Sequence, residues 1–279
     1  MTAISHNGDH LPIGHGRPQK ILAALLLDAN GFVSTDRLID VIWADEPPAT
    51  ARQQIQNSIG MLKSALTTVA GACRIRRRAS AYTMQVDESE IDSYVFRQIC
   101  ARAGVEAERG EVARAAEHLE QALDLWSGAA LQDVDSTTLA VNAEELEEQR
   151  MRACLALLRM RFQQGRHAEM VERLTGWTAR HPYHEVLHRA LAEALHRSSR
   201  NGDAVQVLAE LRARLDSELD IGPEAATREL EHRLRGVHGR GAAVQENIGV
   251  RELTEALRDV AQQLFIVTRA LKELHRPRL

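Results

Sequence analysis

Two sets of residues in this sequence have types and spacing that could do chemistry. The first is His184-Glu185-Val186-Leu187-His188, which spells H-E-x-x-H. On a helix that spacing places two imidazoles one turn apart with a glutamate as base, as a zinc peptidase requires. The helical wheel argues for an ordinary helix instead. Leu187, Leu191 and Leu195 make the buried face, both histidines fall on its margin, and Glu185 is expected to point toward solvent. Gly14-His15-Gly16 is too short to cradle a phosphate, and no Lys-Ser/Thr follows it. No Ser/His/Asp or Cys/His arrangement stands out. The sequence therefore predicts no catalytic residue, no metal site and no cofactor.

The second set is basic. Residues 47–86 contain no Asp or Glu, although the chain of 279 residues holds 39 acids. They carry Arg52, Lys63, Arg74, Arg76, Arg77 and Arg78, a local charge of +6. The overall charge is −4, so the remainder carries −10. A GC-rich genome accounts for 32 Arg against 3 Lys, but not for forty residues without a carboxylate. One segment that meets a polyanion, attached to a body that does not, is the physical reading.

The elements that would hold these residues are legible from periodicity. Residues 18–29 read as a helix with Pro18 in its first turn and Ile21, Leu22, Leu25 and Leu26 on one face. Asn30-Gly31 ends it. Ser34 caps a second helix with Leu38, Val41 and Ile42 inward. After Pro47-Pro48, Thr50 caps a third helix over roughly 51–68, with Ile55, Ile59, Leu62 and Leu66 on its apolar face. Its opposite face shows Arg52, Gln53, Gln56, Asn57 and Lys63. In RIRRRASAYTMQV, the alternation of Ile75, Tyr82, Met84 and Val86 predicts two strands around a basic turn. Residues 1–16 are polar, with one short strand expected near Leu11–Ile13. Three helices, the third polar and acid-free, followed by a basic hairpin, describe a winged helix-turn-helix. Amides and guanidiniums on an exposed helix suit base edges in the major groove, and a wing of arginines suits phosphates. A small helical bundle with a solvated basic edge is the rival.

Beyond Val86 the chain turns acidic and helical. Gly110, Gly165 and Gly202 mark the joints of helical pairs, and the 37-residue step between the last two is close to a tetratricopeptide period. Pro182 sits where such a repeat turns into its next helix. Ala116, Ala122, Ala190 and Ala194 allow close helix approach. Cys100 and Cys154 lie in apolar helical runs and read as core. Scarce aromatics (10 of 279) and abundant Ala and Leu argue for a mainly α fold. No secretory signal is legible at the N-terminus, no apolar stretch is long enough to span a bilayer, and three cysteines make no framework; a reducing cytoplasm fits.

Three stretches together resemble a known family. RPQKILAALLLDANGFVSTDRLIDVIWADEPPATARQQIQ looks like the DNA-binding half of the Streptomyces antibiotic regulatory protein (SARP) family. IDSYVFRQICARA, the W-SG-AL segment at Trp126–Leu131 and EELEEQRMRACLALL resemble its bacterial transcriptional activation domain, which GRHAEMVERLTGWTARHPYHEVLHRALAEAL and ELDIGPEAATRELEHRL complete. The resemblance covers about residues 17 to 236. It implies a non-enzymatic activator of a biosynthetic gene cluster that binds direct repeats of double-stranded DNA and recruits RNA polymerase through its sigma subunit. The implied organisation is a winged-helix domain over 1–88 and a TPR-like activation domain over 89–236; beyond the resemblance, composition and periodicity add a linker over 237–249 and a coiled-coil helix over 250–276. Three departures are visible. The family's leading sheet is reduced to NGDHLPIG. Its Ser-Arg-Leu-Arg-Arg run in the third helix is replaced by Gly60, Met61, Leu62, Lys63 and Ser64. Its glycine before the wing tyrosine is Ala81.

The expected DNA contacts are Thr50, Arg52, Gln53, Gln56, Asn57 and Lys63 from the third helix, Arg76, Arg77 and Arg78 from the wing, and Lys20 from the first helix. In the final helix Val250, Leu253, Leu257, Val260, Leu264, Val267, Leu271 and Leu274 recur at steps of 3 and 4. That heptad seam predicts a homodimeric coiled coil, with intrachain docking as the rival. A second reading of the whole is an interaction protein whose reduced DNA head no longer reads DNA alone.

Overall fold

The computed structural model describes residue 13 and residues 15–70 and 74–237. The expected seam of Val250 to Leu274 and most of the expected strand at Leu11–Ile13 lie outside the described residues. The elements in order are α1 (Arg17–Leu27), β1 (Val33–Ser34), α2 (Thr35–Trp43), α3 (Ala51–Ala70), β2 (Ile75–Arg78), β3 (Ala81–Met84), a 3-10 turn at Glu88–Glu90, α4 (Asp92–Glu108), α5 (Val112–Asp124), α6 (Thr137–Gln163), α7 (His167–Arg180), α8 (Glu185–Arg197), α9 (Asn201–Leu219) and α10 (Ala225–Val237). The fold is mainly α, as the composition requires. The described chain forms two compact units, residues up to 105 with 118–153, and 106–117 with 154 onward.

In the first unit, α1, α2 and α3 enclose a core of Ile21, Leu22, Leu25, Leu38, Ile55 and Leu62, all 1% exposed or less. These are the i, i+3, i+4 positions that periodicity selects. The Ser34 hydroxyl accepts from the Arg37 amide at 3.0 Å and satisfies an open donor at the start of α2. Asn30 follows α1 with φ 66. Its side-chain amide both donates to the Val86 carbonyl and accepts from the Val86 amide, each at 3.1 Å, and its backbone N–H donates to the Met84 carbonyl. Asn30 thus prolongs the sheet, while α1 itself ends at Leu27 with Asp28 as its cap residue, two residues before the expected Asn30-Gly31 stop.

The sheet is antiparallel in the order β1-β3-β2, with Ile75 opposite Met84 and Arg78 opposite Ala81. A two-residue loop, Ala79-Ser80, therefore closes the hairpin. Ala79 holds φ 50, a conformation that glycine adopts more cheaply. Two-residue β1 pairs Val33 with Tyr82. It is too short for alternation to betray it, so sequence periodicity assigns it only a loop. Ile13 is half-buried against the core outside any strand.

The same unit continues past the wing. Phe96 meets Trp126 edge to face at 5.4 Å, and the Arg150 guanidinium lies 4.7 Å over the Trp126 ring while donating to the Gly128 carbonyl at 3.0 Å. Three of the resembling segments after residue 90, those holding Phe96, Trp126 and Arg150, thus converge on one indole. Leu131, Val134 and Leu139 join the winged-helix core. The Ser136 and Thr138 hydroxyls donate to the carbonyls of Val41 and Asp40 near the end of α2, at 2.6 and 2.9 Å.

The second unit stacks α7, α8, α9 and α10, with α8 packed against the other three. Ala116, Ala190 and Ala194 are fully buried here, as Ala122 is in the first unit. Its joints close alike. The amides of Glu111, Arg166 and Arg200 each reach back five residues, to the carbonyls of Glu106, Arg161 and Leu195. Gly110 and Gly165 supply the left-handed residue at two of them. At the third the expectation for Gly202 fails. Ser199, at φ 61, makes the joint, and Gly202 lies inside the first turn of α9.

Candidate nucleic-acid interface

Helix α3 sorts its residues as the acid-free pattern requires. Ala51, Ile55, Ser58, Ile59, Leu62 and Leu66 are buried, while Arg52, Gln53, Gln56 and Asn57 are exposed and Lys63 is half-buried. Gln53 donates through Nε2 to Asn57 Oδ1 at 3.1 Å. That bond couples two amides and leaves Gln53 Oε1 as an acceptor and Asn57 Nδ2 as a donor. The Thr50 hydroxyl accepts the Gln54 amide at 2.8 Å, and Arg17 of α1 donates to Gln54 Oε1. Lys20 is half-buried on α1. Gly60 and Ser64, one turn on, are exposed, and Met61 is 60% exposed.

Arg52 is held by Asp36 of α2 at 2.6 Å, with both side chains mostly in solvent. Such a pair holds its geometry weakly and exchanges partners at little cost. Arg74 is paired with Glu90, whose carboxyl is kept below its usual range chiefly by the Arg74 hydrogen bond. One of the six bases is therefore committed to tying the residue before β2 to the 3-10 turn that follows β3.

Arg76, Arg77 and Arg78 are all exposed and have no carboxylate partner among the described residues. Two aromatic rings steer them. Arg77 lies 5.9 Å from the centroid of Tyr82, its cross-strand partner, and Arg78 lies 5.7 Å from that of Phe32. Rings under guanidiniums restrict their rotamers without occupying their N–H groups, and Arg77 spends only its Nε–H, on the Ala79 carbonyl at 3.1 Å. Phe32 is half-exposed and escapes a sequence reading, because its contact is 46 residues away and has no periodic signature. Asp36 escapes for the same reason. Arg37 is exposed on α2 without a carboxylate partner among the described residues and belongs with the candidate cations.

The H-E-x-x-H segment resolves into a helix cap, and the expectation for Glu185 is corrected. His184 precedes α8 as its N-cap residue, so the two histidines do not share a helix. The Glu185 side chain is only 11% exposed. Its carboxylate accepts the Glu224 amide at 2.9 and 3.0 Å and the Thr227 hydroxyl, which ties the start of α10 to the start of α8. The wheel misplaced it because a first-turn residue meets whatever chain end lies beside the helix. His188 is buried and shares Nδ1 with the His184 carbonyl at 3.2 Å.

The family model for the bacterial transcriptional activator domain matches residues 91–235. The chain is 33% identical over 235 residues to the regulatory protein DnrI of Streptomyces peucetius, covering 81% of this chain and 86% of that one. This chain belongs to the Streptomyces antibiotic regulatory protein family. The transcriptional regulator RedD of Streptomyces coelicolor is 30% identical over 80% of this SARP chain and 65% of its own length. The regulatory protein AfsR of the same organism is 31% identical, but the SARP chain spans only 23% of it. Mycobacterium tuberculosis EmbR, solved in complex with a low-affinity phosphopeptide, superposes with a TM-score of 0.75 at 25% identity, over 92% of this chain and 67% of that one. Among the described residues no helix is long and apolar enough to cross a membrane. The family membership makes the chain a transcriptional regulator of the activator type.

Proposed function

We propose that this SARP chain activates a biosynthetic gene cluster by binding duplex DNA at direct repeats near its promoters, through α3 and the β2–β3 wing. The observation that carries the reading is the wing itself. Among the described residues three adjacent arginines stand exposed without carboxylate partners, in a chain where acids outnumber bases, and two of them rest on rings. In this reading Gln53, Gln56 and Asn57 meet base edges, and Arg52 leaves Asp36 for a phosphate. Thr50, Lys63 and Lys20 add backbone contacts. The helical second unit offers RNA polymerase its protein-binding surface, and the protein works in the cytoplasm without enzymatic activity.

Replacing Arg76, Arg77 and Arg78 together by Ala is expected to weaken binding to every duplex and to lower the salt slope by up to ~3. Gln56→Ala mainly relaxes sequence preference. Mobility shift on the promoter of the neighbouring operon checks both; unchanged binding by both variants refutes the assignment. The heptad seam of residues 250–274 supports a homodimer, which would bring two DNA-binding heads to adjacent repeats. Light scattering on the full chain and on a truncation at Gly236 should give a dimer and a monomer.

A further inference from the structure

Gly60 is an anomaly inside α3. It lies in the middle of a 20-residue helix on the exposed face, and a Cβ added there would meet nothing within 4 Å. No turn, left-handed backbone or close packing asks for glycine. An alanine would make a better helix at that position. The absence of a side chain has no explanation within the folded chain, so its explanation lies in what approaches the helix.

The surroundings say what that is. Helical spacing puts Gln56 and Asn57 one turn before Gly60, and Lys63 and Ser64 one turn after. Gly60 is a bare spot ringed by hydrogen-bonding groups on an acid-free helix. Beside it Met61 is 60% exposed, in a helix whose Ile55, Ile59, Leu62 and Leu66 face the core. An unbranched thioether four residues after Asn57 stands on the same side of the helix as the free Asn57 Nδ2.

We propose that Gly60 and Met61 set the sequence preference of α3: Gly60 is the point of closest approach to the base edges, and Met61 packs its thioether against the C5-methyl of a thymine. This rests on the reading of α3 as the helix that enters the major groove. The major groove is the place where an A·T pair shows an apolar methyl next to hydrogen-bonding edges. The coupled Gln53–Asn57 amides, with one acceptor and one donor left, match the adenine edge with its N6 donor and N7 acceptor. Where the family places a serine, Gly60 lets this helix bring both the amide pair and the thioether closer to the base edges.

The test uses the full chain and a duplex that it enriches from a randomised pool. Each thymine of that duplex is replaced in turn by deoxyuridine, which removes only the methyl. Wild type should lose roughly fourfold in affinity at one position, the worth of one buried methyl-sized group. Met61→Ala should bind the thymine duplex about as weakly as wild type binds the deoxyuridine one, and should no longer distinguish them. Gly60→Ala should keep the helical spectrum, raise the thermal midpoint, and bind the enriched duplex about tenfold more weakly. Wild type indifferent to every replacement, Met61→Ala retaining full sensitivity, or Gly60→Ala binding like wild type would each overturn the proposal. If no sequence is enriched and the wing triple variant changes nothing, the DNA-reading assignment falls with it. Enrichment of sites whose α3 contacts lack thymine overturns the Met61 role alone.

Discussion

Asp36 shows how a single residue can tune a surface built for a polyanion. It places a carboxylate at the start of α2, where the helix dipole favours it, and holds Arg52 of α3 at 2.6 Å. In the free protein it offsets one of the cations facing outward. In the proposed complex that same carboxylate would face phosphates and repel them. Asp36→Asn is expected to raise affinity for all duplexes and to steepen the salt slope by about 0.9, one further phosphate neutralised. Fluorescence anisotropy over a salt series measures both quantities. The pair is too exposed for its loss to cost the fold much.

At the scale of elements, the arrangement around Trp126 binds three separate segments. Phe96 of α4 meets the ring edge, Arg150 of α6 covers its face, and the Gly128 carbonyl receives the same guanidinium. Arg150 is buried and has Glu147 3.5 Å away, so its charge is satisfied from two sides. Removing the indole leaves a cavity and a buried guanidinium without its platform. Because Trp126 is half-buried, Trp126→Ala is expected to destabilise the first unit by about 2–3 kcal/mol, read by urea unfolding. The joints of the second unit show a milder case. Ser199 holds a left-handed conformation that Gly110 and Gly165 hold at the equivalent closures without a side-chain penalty.

Across the whole molecule, acid should act on the second unit first. His167, His184 and His188 all have their pKa pushed down by burial. Arg197 adds to the shift at His167, where Glu193 opposes it. His181, His188 and Arg189 add to it at His184, and Arg214 does so at His188, where Glu185 and Glu210 oppose it. In the unfolded chain each histidine titrates near about 6.5. Between that value and the depressed folded one, the unfolded state binds more protons, so stability falls as pH falls. The stability is fully present above the unfolded value. Thermal midpoints should therefore drop from pH 7.5 toward about 5. His167→Phe, which keeps a ring against Phe162 at its 4.4 Å contact, should flatten part of that slope.

The sequence by itself determined what depends on local periodicity. The three helices, the basic hairpin, the Ser34 cap and the sorting of α3 into an apolar and an amide face all follow from repeats of 3.6 or 2 residues and from capping chemistry. Each requires only neighbours within a turn or a strand pair. Tertiary structure decided everything that joins residues far apart. The pairing of Arg52 with Asp36, the ring beneath Arg78, the meeting at Trp126 and the capture of α10 by Glu185 have no periodic signature. Their partners are chosen by where helices cross, and a helix crossing is set by the packing of whole faces rather than by any one stretch of chain.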